Sequence, residues 1–520
     1  MSLVPFQNEP LLDFGTEAER DRMRTEVEKV RAQLGRSYPL IIGGRRMQSD
    51  NVFLSRDPAD PGSVVGEIAM GSAKDADAAV QEARKAFGAW SRVAAWERAA
   101  LLLRAGDILR QRRRELLAWL AFEVGKNFDQ ADGEIAEAID HFEWNARQLL
   151  ALNQGKEIQP IPSEMNEYRY LPLGVGAVIS PFNFPATLPL GMSVAAIAAG
   201  NTVVLKPAEE ASTIAHQLYR VFEDAGLPPG VLNLVPGFGP EVGDVLVRHP
   251  DVQFVAFVGS RAVGTQIHRN TSGLVDGQRQ LKRVMTEMGG KNATIVTLSA
   301  DRKWAAREVA LSAFGFQGQK CSATSRLIVL EEIHDEFLEA VVGEADRIAA
   351  DAGHASENRA FGPVINDAAE KKITSYIDAA PGAGRMVRRG TAKGNHFITP
   401  TIVDDVAPDS PIAQEEIFGP FLAVLRARTL QEAVEIANGV EYALTGAVFA
   451  RDPQELDYVR EHFFVGNLYL NRSSTGAMAG VHPFGGYKMS GTGPKVGGPD
   501  YLSFFLQAQT ITQKLRYPWE

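Results

Sequence analysis

The chain contains a single cysteine in 520 residues, Cys321. No disulfide can form within it, so Cys321 is either a small buried apolar side chain or a reactive thiol. Residues 314–325 read Phe-Gly-Phe-Gln-Gly-Gln-Lys-Cys-Ser-Ala-Thr-Ser, a polar segment that makes a poor wall for an apolar core. A nearby cation such as Lys320 favours the thiolate. We therefore predict that Cys321 is a nucleophile.

Other absences exclude further classes of function. Lysines and arginines number 54 against 64 acidic residues, so a net charge of −10 gives no reason to bind nucleic acid or an anionic membrane. The most apolar run, residues 186–200, is shorter than the ~20 residues of a membrane span and predicts a core helix. The first residues lack the basic start of a secretory signal, and we expect a cytoplasmic protein. No metal-ligand cluster occurs, which predicts no metal site.

Short apolar runs alternate with helical segments over two stretches of the chain. Continuous apolar strands with helices between them are typical of parallel sheets covered on both faces. With 45% hydrophobic residues the chain can build two or three such cores. We predict an α/β fold with strands near 176–180, 202–205, 231–235, 254–258 and 284–286, and a second set near 294–298, 326–330, 421–425, 447–450 and 467–470.

The other segments are predicted to be mainly helical. Ser72–Asp75 fits a capping box, and helices are expected through 94–124 and 131–152 with their arginines and glutamates facing water. The basic run Arg110–Arg114 is interpreted as a solvated helix face. Residues 155–172 predict an exposed hairpin, which cannot bury itself alone and indicates an oligomer contact. The apolar run 502–506 predicts a strand added to a neighbouring subunit.

Phosphate-binding signals are weak, because no strict Gly-x-Gly-x-x-Gly occurs. Gly259-Ser-Arg-Ala-Val-Gly264 follows an apolar strand and precedes a helical segment, where glycines let the backbone approach a pyrophosphate. The same pattern fits an ordinary tight turn. Lys206-Pro-Ala-Glu209 ends another strand, which is where open α/β sheets bind ligands.

Seven motifs in this order resemble the aldehyde dehydrogenase superfamily over essentially the full length: Ser180-Pro-Phe-Asn183-Phe-Pro185, Lys206-Pro-Ala-Glu209, Gly259-Ser260 with Gly264, Glu287-Met-Gly-Gly-Lys291, Gln317-Gly-Gln-Lys-Cys321, Glu416-Ile-Phe-Gly-Pro420 and Pro483-Phe-Gly-Gly486. The resemblance implies a Rossmann-type NAD-binding domain (1–153 and 174–287), an α/β catalytic domain (288–488) and a small β oligomerisation arm (154–173 and 489–520).

The resemblance also implies roles for individual residues. Cys321 would attack the aldehyde, and Glu287 would activate the water that releases the product. The Asn183 amide and the Cys321 N–H would bind the oxyanion. A carboxylate beside the ribose predicts NAD over NADP. The implied cofactor residues are Lys206 and Glu209 for the adenosine ribose, Gly259, Ser260 and Gly264 for the pyrophosphate, and Glu416 and Phe418 for the nicotinamide ribose and ring.

Within the superfamily, residues 136–140, 314–322 and 471–477 are most similar to the 1-pyrroline-5-carboxylate dehydrogenases. That group oxidises L-glutamate γ-semialdehyde to L-glutamate in proline breakdown. The likeness implies a homo-oligomer and proline dehydrogenase as a functional partner. The implied substrate-binding residues are Ser322, Gly476 and Ala477 for the α-carboxylate, Phe184 and Phe484 on either side of the methylene chain, and Glu137.

Alternatives remain open from the sequence. Another semialdehyde would fit the same chemistry. A cofactor-independent cysteine hydrolase would use Cys321 with a histidine that the fold brings close. A serine hydrolase would need Gly-x-Ser-x-Gly, and the nearest approach, around Ser193, lies inside the predicted core helix.

Overall fold

A computed structural model describes residues 3–515. In this part of the chain the α-helices are α1 (Glu17–Arg31), α2 (Ala73–Trp90), α3 (Ala95–Gln111), α4 (Arg113–Val124), α5 (Phe128–Leu152), α6 (Thr187–Ala198), α7 (Ser212–Asp224), α8 (Asp244–Arg248), α9 (Arg261–Ser272), α10 (Arg302–Phe314), α11 (His334–Ala350), α12 (Asp367–Ala379), α13 (Pro411–Gln414), α14 (Leu430–Asn438) and α15 (Pro453–His462).

The strands of the same residues form five sheets. They are β1 (Arg36–Tyr38), β2 (Leu40–Ile42), β3 (Arg45–Met47), β4 (Val52–Asp57), β5 (Asp60–Ala69), β6 (Glu164–Pro172), β7 (Val175–Ile179), β8 (Thr202–Lys206), β9 (Leu232–Leu234), β10 (Val252–Val258), β11 (Arg283–Glu287), β12 (Asn292–Val296), β13 (Thr324–Leu330), β14 (Arg385–Arg388), β15 (Thr401–Asp404), β16 (Phe421–Ala427), β17 (Tyr442–Ala443), β18 (Thr445–Phe449), β19 (Asn467–Leu470), β20 (Tyr487–Lys488), β21 (Gly491–Thr492) and β22 (Leu506–Lys514).

The largest sheet has the order β21-β11-β10-β7-β8-β9-β2-β3. Strands β7 to β11 are parallel, with β8 and β9 on one side of β7 and β10 and β11 on the other. The strand order therefore reverses between β7 and β10, and such sheets bind ligands at the carboxyl ends there. Asn183 follows β7 and Gly259 follows β10, so both lie at this crevice. The five strands predicted between 174 and 287 are confirmed.

The second large sheet has the order β14-β15-β16-β13-β12-β18-β19, parallel except for β14. Successive residues of a strand pack into different hydrophobic cores, one on each face of the sheet. Ile328 packs in one of these cores and Leu327 in the other. Val203 and Val204 divide in the same way in the first sheet. Both sheets are thus covered on both faces, as their continuous apolar runs predicted. The α/β fold class is confirmed.

The helical segments follow the sequence patterns with two corrections. Ser72 and Asp75 form the predicted capping box, and α6 is the predicted core helix. The segment 94–124 is two helices, because Arg112 leaves helical geometry (φ −90°, ψ 5°). The solvated face predicted for Arg110–Arg114 is wrong at Arg113, whose guanidinium is buried against Asp132 with N–O distances of 2.6 and 2.7 Å.

The predicted hairpin at 155–172 is also wrong. Only β6 forms there, and its antiparallel partner is β22, with Leu506 opposite Pro172 and Lys514 opposite Glu164. A 3₁₀ turn, not a strand, occupies residues 501–505. Sequence reasoning assigned the wrong partner to the strand at 164–172 and placed the C-terminal strand too early, since pairing over this separation leaves no local pattern. No helix among residues 3–515 has both the length and the apolar character needed to cross a bilayer.

Candidate active site

Cys321 lies on a tightly held loop between α10 and β13. The loop begins with two left-handed residues, Phe316 (φ 52°) and Gln317 (φ 55°), a conformation that costs energy for side chains other than glycine. Neighbouring groups hold it in place: the Asn292 amide donates to the Cys321 carbonyl at 2.7 Å, and the Gln319 side chain accepts from the N–H of residue 365 at 2.9 Å. The fold therefore fixes the position of the thiol before any ligand binds.

The Cys321 thiol is surrounded by groups that oppose its ionisation. Burial, followed by the charge of Glu287, raises the pKa of Cys321 well above its usual range, while the Ser322 N–H favours the thiolate. The Lys320 amine donates to Gln130 at 2.6 Å, and burial lowers its pKa to about 7. Lys320 thus supports a thiolate less than the sequence suggested. Ionisation of Cys321 needs a base, and Glu287 is the adjacent carboxylate.

Glu287 ends β11 and is 6% exposed. Among residues 3–515, no N–H or O–H group donates to either of its carboxylate oxygens. Burial raises the pKa of Glu287 to about 7, and the Cys321 thiol acts in the opposite direction. A carboxyl that ionises near neutral pH is suited to general base catalysis at that pH.

Asn183 is positioned by a buried ion pair that sequence reasoning missed. Its side-chain amide donates to the Gln319 carbonyl at 3.0 Å, and its own carbonyl accepts from Lys126 at 2.7 Å. Lys126 pairs with Glu134, both fully buried, and Glu134 accepts the N–H groups of residues 186–187. The sequence did contain a signal that Glu134 is buried. Apolar residues three positions before it and four positions after it share its face of α5.

Several predicted residues line one cavity of about 280 Å³ at the crevice of the first sheet. It contains the catalytic candidates Asn183 and Cys321 and four of the cofactor candidates. The Cys321 N–H, a predicted oxyanion donor, has no acceptor among the described residues. The lining residues are Pro181, Phe182, Asn183, Val258, Gly259, Ser260, Met288, Gly289, Cys321, Lys372, Glu416 and Phe418.

A second cavity, of about 380 Å³, contains Lys206 and Glu209. The Lys206 amine donates to the Glu209 carboxylate at 3.2 Å. Residues of α9 line this cavity, while Ser260, the N-cap of α9, lines the first. The two cavities therefore flank the N-terminus of α9, where backbone N–H groups favour a phosphate. Gly264 serves packing, because a side chain there would collide with Met288.

Glu416 reaches the same place from the second sheet. Its carboxylate accepts the Gly290 N–H at 3.0 Å, and its carbonyl accepts from Lys372 at 2.9 Å. A side chain at Gly289 would collide with the Glu416 carboxylate. Gly289 thus makes room for the Glu416 carboxylate beside the cavity, and Gly290 supplies its N–H donor.

The loop that carries two of the predicted carboxylate-binding residues is tied to the third, Ser322, through Ser474. Its hydroxyl donates to the Ser322 carbonyl at 2.8 Å, which ties the loop carrying Gly476 and Ala477 to the Cys321 loop. Thr445 donates to the same carbonyl at 3.3 Å. In the described part of the chain, the N–H groups of Gly476 and Ala477 donate to no acceptor. Two free donors therefore lie in a loop that is tied to the residue after Cys321.

The remaining substrate candidates lie around the same centre. The Phe184 ring covers the Lys126 amine at 4.0 Å, and Phe484 lines a small cavity of about 20 Å³ with Glu287. Burial raises the pKa of Glu137 to about 8, and nearby carboxylates, including Glu287, add to this effect. The carboxylates that act on Glu137 include Glu287, so an excess of negative charge surrounds the Glu137 carboxyl.

A cysteine hydrolase would need an imidazole at the thiol. No histidine ring among residues 3–515 hydrogen-bonds to Cys321, and the charged side chains that act on its pKa are Glu287 and Glu416. No cluster of three or more metal-ligating side chains occurs in these residues either. The geometry favours redox chemistry with a dinucleotide over hydrolysis.

Comparison with known proteins agrees with this geometry. The Aldehyde dehydrogenase family profile matches residues 46–511. A 1-pyrroline-5-carboxylate dehydrogenase of Geobacillus kaustophilus is 46% identical over 98% of this chain and 99% of its own. The structure of 1-pyrroline-5-carboxylate dehydrogenase from Thermus with bound NAD is 44% identical, with TM-score 0.97 over 99% of this chain and 100% of that one. Proline utilization A from Bdellovibrio bacteriovorus is 42% identical, with TM-score 0.96 over 98% of this chain and 53% of that one. The chain belongs to the aldehyde dehydrogenase family.

Proposed function

We propose that this protein oxidises L-glutamate γ-semialdehyde, which is in equilibrium with 1-pyrroline-5-carboxylate, to L-glutamate with NAD as the hydride acceptor. The observation that carries the substrate assignment is the pair of N–H groups at Gly476 and Ala477, which have no acceptor in residues 3–515 and lie on a loop that Ser474 ties to the Ser322 carbonyl. Two backbone donors and a hydroxyl suit a carboxylate. The 44–46% identity to 1-pyrroline-5-carboxylate dehydrogenases supports the same substrate.

The residues around the two cavities fit a dinucleotide. Lys206 and Glu209 would hold the adenosine ribose, the N-terminus of α9 at Ser260 would receive the pyrophosphate, and Glu416 would hold the second ribose. The Glu209 carboxylate would repel the 2′-phosphate of NADP, which favours NAD. We also propose that residues 1–153 and 174–287 form the cofactor-binding domain and residues 288–488 the catalytic domain.

Cys321 would start the reaction by adding to the aldehyde carbon after giving its proton to Glu287, the adjacent base. The carbonyl π bond becomes a lone pair on oxygen, and a thiohemiacetal forms on the sulfur. The Asn183 amide and the Cys321 N–H would stabilise this oxyanion, and one such donor is worth about 3–4 kcal/mol. The Lys126–Glu134 pair would keep Asn183 in place while charge develops.

When bound, NAD supplies the hydride acceptor that converts the thiohemiacetal into a thioester. Glu287 would first release the thiol proton to solvent, and would then remove a proton from water as the water oxygen attacks the thioester carbon. The carbon–sulfur bond breaks, the acid leaves, and Cys321 is restored. A pKa near 7 lets Glu287 accept and release this proton at neutral pH.

The rest of the substrate would be held by its two charged groups and its methylene chain. Ser322, Gly476 and Ala477 would bind the α-carboxylate, and Phe184 and Phe484 would pack on the methylenes. The α-ammonium would face Glu137, because a cation there offsets both the burial that chiefly raises the pKa of Glu137 and the repulsion from neighbouring carboxylates that adds to it.

We also propose a homo-oligomer and a functional partner for this protein. The β6–β22 ribbon, much of which is exposed, would pack against another subunit of a homo-oligomer. Proline utilization A contains a region like this chain in about half of its length. We infer that a proline dehydrogenase produces the substrate of this protein as a functional partner.

The test compares NADH formation from glutamate semialdehyde and from pentanal. We expect wild type to prefer the semialdehyde, and Ser322→Ala to lower its efficiency about 10- to 150-fold by loss of one charge-assisted hydrogen bond. Pentanal oxidation should be little affected. A wild-type preference for pentanal would refute the substrate while leaving the dehydrogenase reaction intact. Absence of NADH formation with both aldehydes would refute the reaction.

A further inference from the structure

The loop between β19 and Pro483 is organised around Arg472, a residue without a role in the reaction as described above. One guanidinium nitrogen donates to the carbonyl oxygens of Thr475 and Gly476, at 3.0 and 2.9 Å. The second terminal nitrogen of the guanidinium donates to His482 at 3.0 Å. The guanidinium carbon lies 4.6 Å from the centre of the Tyr469 ring. A planar guanidinium with five N–H donors can make these contacts together.

Peptide geometry links these contacts to the substrate site. All peptide bonds of residues 3–515 are trans, so each carbonyl and the N–H that follows it point in opposite directions. The carbonyls of Thr475 and Gly476 point to Arg472. The N–H groups of Gly476 and Ala477, which belong to the same two peptide groups, must point away from it. These are the N–H groups that lack an acceptor in the described chain.

The positive charge of Arg472 reinforces this orientation of the two peptide groups. No aspartate or glutamate of the described chain forms a salt bridge with Arg472, and the imidazole, carbonyls and phenol ring that it contacts carry no negative charge. A cation on a carbonyl oxygen polarises the whole peptide group and strengthens its N–H as a donor. Gly476 (φ 79°) takes the left-handed conformation that allows consecutive N–H groups to face one side.

The surroundings keep the guanidinium in place. The guanidinium has only donors, so Nε2 of His482 accepts this hydrogen bond, and burial, followed by the charge of Arg472, lowers the pKa of His482 in the direction that favours this role. Tyr469 is 5% exposed and forms a fixed surface for stacking. Arg472 is thus held between the Tyr469 ring and the loop carbonyls that it binds.

We infer that Arg472 is a positioning residue that determines specificity for aldehydes carrying an α-carboxylate. It acts through the peptide groups of residues 475–477, which it aligns and polarises, and does not itself contact the substrate. This inference rests on the proposed function. A lysine at this position keeps the charge but cannot span two carbonyls and an imidazole with fixed geometry.

The experiment measures kcat and KM for glutamate semialdehyde and for pentanal in wild type, Arg472→Lys and Arg472→Gln. The inhibition constant of L-glutamate is measured against pentanal oxidation. We expect efficiency toward the semialdehyde to fall about 10-fold in the lysine variant and about 100-fold in the glutamine variant, mainly through KM. The glutamate inhibition constant should rise by similar factors. Efficiency toward pentanal should fall far less.

Arg460→Lys is the matched control, because Arg460 is 54% exposed and pairs only with a neighbouring aspartate on α15. Melting temperatures report whether each variant folds, and the lysine variant decides the matter if the glutamine variant is unstable. Equal losses on both aldehydes, or unchanged semialdehyde preference in folded Arg472 variants, would overturn the inference alone. A wild-type enzyme without semialdehyde preference would overturn the proposed substrate as well.

Discussion

Two buried glutamates of the same site have opposite surroundings. Glu134 pairs with Lys126 and accepts two N–H groups at the start of α6. Glu287 receives no hydrogen bond from any N–H or O–H group in residues 3–515. Both carboxylates are almost completely removed from solvent, at 2% and 6% exposure. Burial is therefore the same for the two residues, and their hydrogen-bonding partners differ.

The difference separates residues that hold the site from residues that react. A buried charge with a full set of partners keeps one geometry, and here it fixes the backbone of Asn183. A buried carboxyl without N–H or O–H donors pays most of the cost of ionisation, so its pKa moves toward the working pH and it can exchange a proton. The protein gives up stability at Glu287 and retains a base there.

The largest effect is expected from removing the base. Glu287→Gln should lower kcat about 10²–10⁴-fold, because the thioester loses its positioned base. If the variant still transfers hydride, one burst of NADH per active site will precede the slow phase in stopped-flow absorbance. Glu339→Gln, on the exposed side of α11, is the control. Steady-state rates at the wild-type level would contradict the role of Glu287.

Breaking the Lys126–Glu134 ion pair should lower the free energy of unfolding. Lys126→Met leaves the Glu134 charge buried without its partner, and such changes cost about 3–5 kcal/mol. Unfolding in urea measures the loss. Adding Glu134→Gln should recover much of it by removing the stranded charge.

The control for this measurement is Lys85→Met. Lys85 is 74% exposed and pairs with Glu82 on the surface of α2, so we expect a change below about 1 kcal/mol. If Lys126→Met costs no more than Lys85→Met, the pair does not hold the site and the contrast between the two glutamates is lost.

The raised pKa of Glu287 predicts a pH dependence of turnover. Because the carboxyl is protonated below pH 7, kcat should fall roughly tenfold per pH unit as pH decreases below that value and level off above it. The measurement is kcat from pH 5.5 to 9 at saturating substrates. In Glu287→Gln this limb should disappear. If kcat of the variant still falls in the same way below pH 7, the pH dependence arises from a group other than Glu287.

The smallest effect is a gain in stability. The pKa of Glu287 is about 7 in the folded chain against 4.5 as the ordinary value, so ionisation disfavours folding increasingly between pH 4.5 and 7. Glu287→Gln carries no charge, and its advantage over wild type should grow across this range to about 1–3 kcal/mol at pH 8. Thermal unfolding at pH 5 and pH 8 tests this. A constant difference would show that the charge is not the cause.

Sequence reasoning found the residues whose types are themselves informative. Cys321 was found because it is unique and its neighbours are polar, and the resemblance then supplied Glu287 and Asn183. Lys126 and Arg472 were missed, because a lysine or arginine in sequence reads as a surface residue. Only their partners, a buried glutamate and two carbonyls, reveal what they do.

The sequence by itself determined the local structure of this protein and the chemistry of its nucleophile. The apolar strands, the capping box at Ser72 and the core helix α6 depend on neighbours within a few residues, so their patterns are visible in the chain. The tertiary structure alone decided that β6 pairs with β22, that Arg113 is buried against Asp132, and that Glu134 has N–H donors where Glu287, among residues 3–515, has none. Hydrogen bonds and ion pairs select partners by distance in space, and the folded chain sets that distance.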